Sequence, residues 1–145
     1  MAANSKFAMA THIMTLIAHA SSSKEVEKDS HGLVRSELIA GSVNTNPVVV
    51  RRIVSILAKA GLVISHQGKG GGLELAKSPS QISLLDIYNA LGEEPIFAVN
   101  PNLPNPACEV SVRMPEVLDP VFQSAQESLQ ANLKKTKLSD LLKQI

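Results

Sequence analysis

The chain has 145 residues, of which 44% are apolar, enough for one compact core with an appended element rather than two independent cores. Its single cysteine, Cys108, excludes an internal disulfide and any metal or cluster site built only from one chain's thiolates. The net charge is +1, but residues 1–80 carry nine Lys/Arg against five Asp/Glu, whereas residues 81–145 carry five against eight. Because placement decides what a surface attracts, the first part is the candidate for an anionic partner.

The N-terminal residues lack the pattern of a secretion signal, and no apolar run reaches the length of a membrane span. We therefore expect a cytoplasmic protein. The four histidines are scattered without metal-ligand spacing, so no metal site is expected.

Apolar residues at helical spacing predict a first core helix that Asn4 or Ser5 can cap and that runs to about Ala20. Residues 21–32 are polar, small and charged, which predicts a flexible surface connection.

Two helices separated by a brief break follow this connection. The first is predicted over about 34–41. The second begins at Pro47, where a missing N–H costs nothing, and Thr45 or Asn46 can accept a hydrogen bond from a free backbone N–H. It ends near Ala60. Two helices joined by a few residues form the minimal helix-turn-helix unit.

A β-hairpin is predicted next, with strands at 62–65 and 73–76 and a glycine-rich tip between them. Ser83 then begins a capping-box-like start for a helix through Leu91. The order helix, helix, helix, hairpin, helix predicts a mainly α fold with a small β-hairpin wing, which is a winged helix-turn-helix over residues 1–95.

Segment 96–110 is rich in proline and asparagine and is predicted as a linker. A long helical segment and a short docking helix, from about Ser139 to Ile145, are predicted within 111–145. The sequence leaves the start of the long helix open, because Pro115 lies inside it and Asp119-Pro120 could begin a fresh helix.

An apolar stripe on the long segment either packs on its own domain or forms a dimer seam. We favour the seam, because the stripe follows a proline-rich exit from the domain. Its members are Leu118, Phe122, Ala125, Leu129 and Leu133.

The helix from Pro47 to Ala60 has two faces when residues are placed 100° apart. One face is apolar and predicts burial, with Val50, Ile53, Val54, Leu57 and Ala60. The other combines two arginines, a hydroxyl and a lysine without any acid, which is typical of a helix in a DNA major groove. We predict base readout by Thr45, Asn46, Val48, Arg51 and Arg52, and backbone contact by Ser55 and Lys59. Free N–H groups at the helix N-terminus are also expected to bind a phosphate.

The glycine-rich tip at 68–72 lacks the strand-to-helix setting and the closing Ser or Thr of a nucleotide-binding loop. Glycines at a hairpin tip supply positive φ and allow close approach to DNA. We predict that His66, Gln67 and Lys69 contact DNA from this wing, although a turn without function fits the glycines equally well.

These blocks together resemble the bacterial Rrf2 family of winged-helix regulators, which includes IscR, NsrR and CymR, and in particular its YwnA-like branch. The resemblance covers nearly the whole chain and is densest at 46–52, 59–63, 68–72 and 82–87. It implies a DNA-binding homodimer paired through the long C-terminal helix, with wings flanking a pseudo-palindromic operator.

Two departures from the family pattern change the expectations. Cluster-binding relatives carry three cysteines where this chain keeps only Cys108, so no iron–sulfur cluster and no other cofactor is expected. At the wing, cluster-type relatives often present an arginine where this chain has Gln67. We therefore expect altered minor-groove contact, with Lys69 compensating.

The leading hypothesis is a transcriptional regulator, and specifically a repressor, that binds double-stranded DNA as a homodimer. The alternative is a protein-interaction module that holds a partner enzyme. An enzyme built on Cys108 is not expected, because no base or oxyanion site accompanies the thiol. Cys108 is a candidate sensor, against the simpler interpretation of a half-buried apolar residue.

Overall fold

The computed structural model describes residues 3–23 and 32–145. The elements follow the predicted order. They are α1 (Ala3–Ser22), α2 (Ser36–Val43), α3 (Pro47–Lys59), β1 (Val63–His66), β2 (Gly72–Leu75), a 3-10 turn (Pro79–Gln81), α4 (Leu84–Ala90), α5 (Glu109–Lys134) and α6 (Leu138–Leu142).

The first helix is longer than predicted at both ends. It begins at Ala3, so neither Asn4 nor Ser5 precedes it as a cap, and that expectation is wrong. It continues to Ser22, where a connection was predicted. The rest of that predicted flexible connection, residues 24–31, lies outside the described residues.

A single apolar core joins both ends of the chain. Ile13 of α1, Leu57 of α3 and Ile87 of α4 are fully buried in it, and so is Leu138 of α6. Burial of one large aliphatic side chain contributes roughly 1.5–3 kcal/mol, so this core holds the helices in their mutual positions. No helix among residues 3–23 and 32–145 is both long enough and apolar enough to cross a membrane.

The predicted hairpin is confirmed, with Val63 opposite Leu75 and His66 opposite Gly72 in an antiparallel pair. A third segment extends this small sheet, because Val34 forms an isolated bridge to Leu73. The Val34 N–H donates to Leu73 O at 3.0 Å, and the Leu73 N–H donates to Val34 O at 2.8 Å. Val34 was predicted to begin a helix, and no local sequence pattern indicates its pairing with a residue so far along the chain. The order of the helices and the hairpin that follows them form the predicted winged helix-turn-helix fold.

The predicted capping residues explain where two helices begin. Asn46 is the cap of α3, since its Oδ1 accepts the backbone N–H of Val48 at 2.8 Å. At α4 the side chains of Ser83 and Asp86 form the predicted capping box, with reciprocal bonds of 3.1 and 2.8 Å.

The long helix α5 begins at Glu109, directly after Cys108, and runs without a break through Pro115 and Pro120. The alternative of a fresh helix at Asp119 is therefore wrong. Each interior proline removes one backbone hydrogen bond. Both lie on a helix without fully buried residues, where water can satisfy the freed carbonyls.

The last helix α6 returns to the winged-helix part, as predicted for a docking helix. The Leu84 N–H donates to Thr136 O at 2.9 Å, and the Leu138 N–H donates to Ile82 O at 2.8 Å. The helix spans Leu138–Leu142, so it is shorter than the predicted 139–145. These backbone bonds hold the far end of α5 to the start of α4.

Part of the apolar stripe predicted as a dimer seam lies near other residues of the same chain. Phe122 meets Phe97 with ring centroids 5.3 Å apart, and Leu129 and Leu133 line a cavity together with Phe7 of α1. The positions of Phe122, Leu129 and Leu133 agree with packing on the own domain, and the favoured dimer seam stays a prediction. All five stripe residues are half-buried: Leu118, Phe122, Ala125, Leu129 and Leu133.

Candidate DNA-binding surface

Helix α3 divides into the two predicted faces. Its core side buries Val50, Ile53, Val54 and Leu57, whereas Ala60, predicted on that side, is an exposed C-cap. The opposite side is exposed along its length and is called the basic face below. It consists of Val48, Arg51, Arg52, Ser55 and Lys59.

The cations of this surface are free of acidic partners. Within the part of the chain that the structure describes, no ion pair involves Arg51, Arg52, Lys59 or the wing's Lys69. A guanidinium without a carboxylate partner keeps all its N–H donors available for base edges or phosphates. The basic face is therefore exposed, and its cations form no ion pair with the described residues.

The two residues before α3 are less available than predicted. Thr45 is half-buried, and the Asn46 side-chain oxygen is engaged in the cap. The expectation of free N–H groups for a phosphate is also corrected at the first turn. The Val49 and Val50 N–H groups donate to Asn46 O at 3.0 and 3.3 Å, and Pro47 has none. Readout from the start of α3 therefore depends on side chains.

The wing stands beside the basic face and forms a groove with it. The groove has a volume of about 980 Å³. Arg51, Ser55 and Lys59 line one wall, and the hairpin residues from Ser65 to Leu73 line the other. The fold thus brings three predicted helix residues and the three predicted wing residues to one groove, whereas the other predicted residues at α3 do not line it: Thr45, Asn46, Val48 and Arg52.

The three predicted wing residues differ in their freedom. His66 Nε2 lies 2.9 Å from Glu74 Oε1, and Gln67 donates to Ser65 Oγ at 3.2 Å, so both are held within the hairpin. Lys69 is exposed at the tip. Gly71 allows the tight turn, because a Cβ there would overlap the backbone oxygen of His66. Lys69 is consequently the wing residue most available to contact DNA.

One cation at this groove was missed by the sequence reasoning. Arg35 is exposed and lines the groove beside Arg51, and Glu37 places one carboxylate there as well. Arg35 takes this position because its neighbour Val34 is bonded to Leu73 at the base of the wing. The cationic side chain itself was visible in the sequence, but its placement depends on that long-range bridge.

The described residues offer no set of ligands for a metal ion or cluster. They contain no group of three or more His, Cys, Asp or Glu side chains arranged to hold a metal. Cys108, the sole thiol of the sequence, is exposed at the start of α5. The donor set of this chain therefore does not fit a cluster bound within one subunit, and the prediction of no cofactor stays a prediction.

A family model described as an iron-dependent transcriptional regulator, Rrf2, matches residues 3–144. The chain belongs to the Rrf2 family. The resemblance given by the sequence blocks is therefore confirmed, and with it the class of DNA-binding transcriptional regulator.

Individual relatives agree with this assignment. YwnA of Bacillus subtilis (strain 168), provisionally described as an HTH-type transcriptional regulator, is 43% identical over 140 residues, covering 96% of each chain. A crystal structure of a protein provisionally described as DNA-binding is 36% identical, with a TM-score of 0.70 over 94% of this chain and 98% of that one. CymR, the global cysteine regulator of B. subtilis, is 25% identical, with a TM-score of 0.66 over 97% and 95%. The likeness of this Rrf2 protein to them extends over helix α5 as well as the winged helix.

Proposed function

We propose that this Rrf2 protein is a homodimeric repressor that binds a pseudo-palindromic DNA operator through α3 and the wing. The observation that supports it most is the basic face, which is exposed, acid-free and adjacent to the wing groove. A helix of this composition fits the major groove, where arginine pairs with guanine and apolar side chains contact thymine methyl groups. The groove between α3 and the wing then receives the phosphate backbone that borders the same site.

The residues of this surface are assigned to two roles by their position on α3 and the wing. Arg51, Arg52 and Val48 lie in the first two turns of α3 and are assigned to base edges, as in other helix-turn-helix proteins. Lys59, Ser55 and the wing's Lys69 are assigned to phosphates, where they fix register without reading sequence. Arg35, on the wall between α3 and the wing, joins the phosphate group. His66 and Gln67 take part only after their hairpin contacts are exchanged.

The dimer is proposed to form through a different face of α5 from the stripe that the sequence favoured. Four of the exposed apolar side chains of α5 follow one another at spacings of four, three and four residues, which places them along one line of the helix. We call them the α5 ridge: Val110, Met114, Val117 and Val121. The ridge lies roughly 90° around the helix from the half-buried stripe, given about 100° per residue.

The spacing of the ridge continues into small residues. Ser124, Ser128 and Ala131 follow at three, four and three residues, and all are exposed. Small side chains allow two helices to approach closely, so two copies of α5 can pair along most of their length. A two-fold axis through such a pair would place the two α3 helices on successive major grooves, about 34–36 Å apart or a multiple of that.

The test is DNA binding by variants of the basic face. Operator fragments would be selected from random duplexes by the wild-type protein and then used for Arg51→Ala and Arg52→Ala. We expect each variant to lose about 1–3 kcal/mol of discrimination at one base position. Lys59→Ala should instead weaken binding to all sequences alike and reduce the salt slope by about 0.9 for each phosphate that the variant no longer neutralises.

Lys134→Ala provides the matched control, because Lys134 is an exposed cation on α5 without an ion pair among the described residues. Its operator affinity should equal that of the wild type. Selection that returns no preferred sequence, or arginine variants that bind the selected operator normally, would contradict the proposal.

A further inference from the structure

A second cavity is lined by no residue of the basic face. It has a volume of about 540 Å³, within the range of small-molecule sites. Its walls come from four parts of the chain: Phe7 of α1, Tyr88 of α4, residues 93–96, and Leu129 and Leu133 of α5. Most of the lining is aliphatic or aromatic, so the cavity suits a ligand with an apolar body.

Two carboxylates among the lining residues give this apolar cavity a negative charge. Glu93 and Glu94 both line it. Glu93 Oε1 is buried and accepts no hydrogen bond from the described residues. The nearest cation, Lys6 Nζ, lies 3.9 Å from it, which is an ion-pair distance but too long for a hydrogen bond. A carboxylate in this setting gains from a closer cationic partner, since burial weakens its hydration.

Two aromatic rings line the same cavity as these carboxylates. Phe7 and Tyr88 meet edge to face, with centroids 5.8 Å apart and an interplanar angle of 83°. Tyr88 is fixed in place, because its hydroxyl accepts a hydrogen bond from Gln126 Nε2 at 2.9 Å. Ring faces next to a carboxylate are the combination that recognises organic ammonium groups.

We propose that this cavity is an effector site for an amphipathic organic cation, a small molecule with one ammonium group and an apolar aliphatic or aromatic body. The ammonium group binds at Glu93 against the rings of Phe7 and Tyr88. The apolar body lies along Leu129 and Leu133. A neutral or anionic ligand of the same shape lacks the charge that Glu93 selects.

The position of the cavity links it to DNA binding, a step that rests on the proposed function. Its walls belong both to the winged-helix part and to α5. Gln126 of α5 connects the two, because its Nε2 donates to the Tyr88 hydroxyl and its Oε1 accepts the Ile96 N–H at 3.2 Å. A ligand between these walls changes the angle at which α5 leaves the DNA-binding part. In a dimer paired through α5, that angle sets the distance between the two α3 helices. Because coupling is reciprocal, the cation and the operator then alter each other's affinity.

The direct test is calorimetric titration of the full chain with phenylbutylamine, using phenylbutanol as a neutral probe of the same skeleton. The amine is protonated at neutral pH, whereas the alcohol is uncharged. We expect one amine bound per chain, with the alcohol at least about tenfold weaker, a difference of about 1.4 kcal/mol. Glu93→Gln should remove this preference, and Glu127→Gln should retain it, because Glu127 is exposed on α5 and does not line the cavity.

A melting curve of each variant establishes that it is folded. Equal binding of amine and alcohol, unchanged amine binding by Glu93→Gln, or no binding of the amine would overturn the site. Amine binding seen only after the dimer has been dissociated would also overturn it, since a second copy would then fill the cavity.

The regulatory step is read separately, as a change in operator affinity with saturating amine. Amine binding that leaves operator affinity unchanged would overturn the coupling while supporting the cation site. A protein that binds the amine but selects no DNA sequence would refute the proposed function and leave the cation site supported.

Discussion

Replacement of Val117 by glutamate tests whether the α5 ridge is the dimer seam. Val117 exposes 58% of its surface in the single chain. Full burial of a valine contributes roughly 1.5–3 kcal/mol, so burying this fraction stabilises the dimer by about 1 kcal/mol per side chain. In a two-fold interface every substitution occurs twice, which doubles the loss to about 2 kcal/mol. We therefore expect a dimer at least about 30-fold weaker, before the cost of burying two carboxylates is added.

Val112→Glu is the matched control for this experiment. Val112 lies on the same helix and exposes 46% of its surface, but it projects roughly 180° away from the ridge at about 100° per residue. The two variants introduce the same change of charge and helix propensity. Sedimentation equilibrium should show monomers for Val117→Glu and wild-type dimers for Val112→Glu. Equal dimer dissociation constants for the two variants would refute the α5 ridge as the dimer interface.

Two predictions concern the stability of the helix that carries the basic face. Leu57→Ala empties a fully buried position and should lower the free energy of unfolding by about 2–5 kcal/mol, whereas Val48→Ala on the exposed face should change it by less than about 0.5 kcal/mol. Urea unfolding followed by circular dichroism measures both, and similar losses would contradict the assigned faces. Asn46→Ala removes the side-chain cap of α3 and should lower the free energy of unfolding by about 1 kcal/mol, whereas Asn46→Ser should keep most of that stability. A serine variant as unstable as the alanine variant would show that capping is not the cause.

The sequence predicted the position and the two faces of α3 because the determining interactions are local. Pro47 fixes the start of the helix, and the Asn46 cap acts over two residues. The periodicity of Val50, Ile53 and Leu57 then decides which side meets the core. The same local reasoning did not predict that Thr45 is half-buried, and its role in base readout stays a prediction.

Local sequence patterns did not predict which apolar face of α5 is covered in the structure. The sequence analysis identified one apolar line on this helix, the stripe that includes Leu118 and Phe122, and the ridge at Val117 and Val121 was recognised only from its exposure in the structure. In the structure Phe97 of the preceding segment packs on Phe122, whereas Val117 and Val121 are exposed. Which line is covered depends on the path of the linker, and a helical pattern carries no information about that path.

The order of elements, the capped start of α3 and the family could be predicted without coordinates, since they depend on neighbouring residues and on blocks of motif. Which cations share a surface could not be predicted in this way, because it depends on contacts between distant segments. Arg35 joins Arg51 because a bridge between Val34 and Leu73 closes the base of the wing. The cavity at Glu93 likewise exists because α1, α4 and α5 converge there. Such contacts join segments far apart in the chain, and their positions follow from the packing of the whole core.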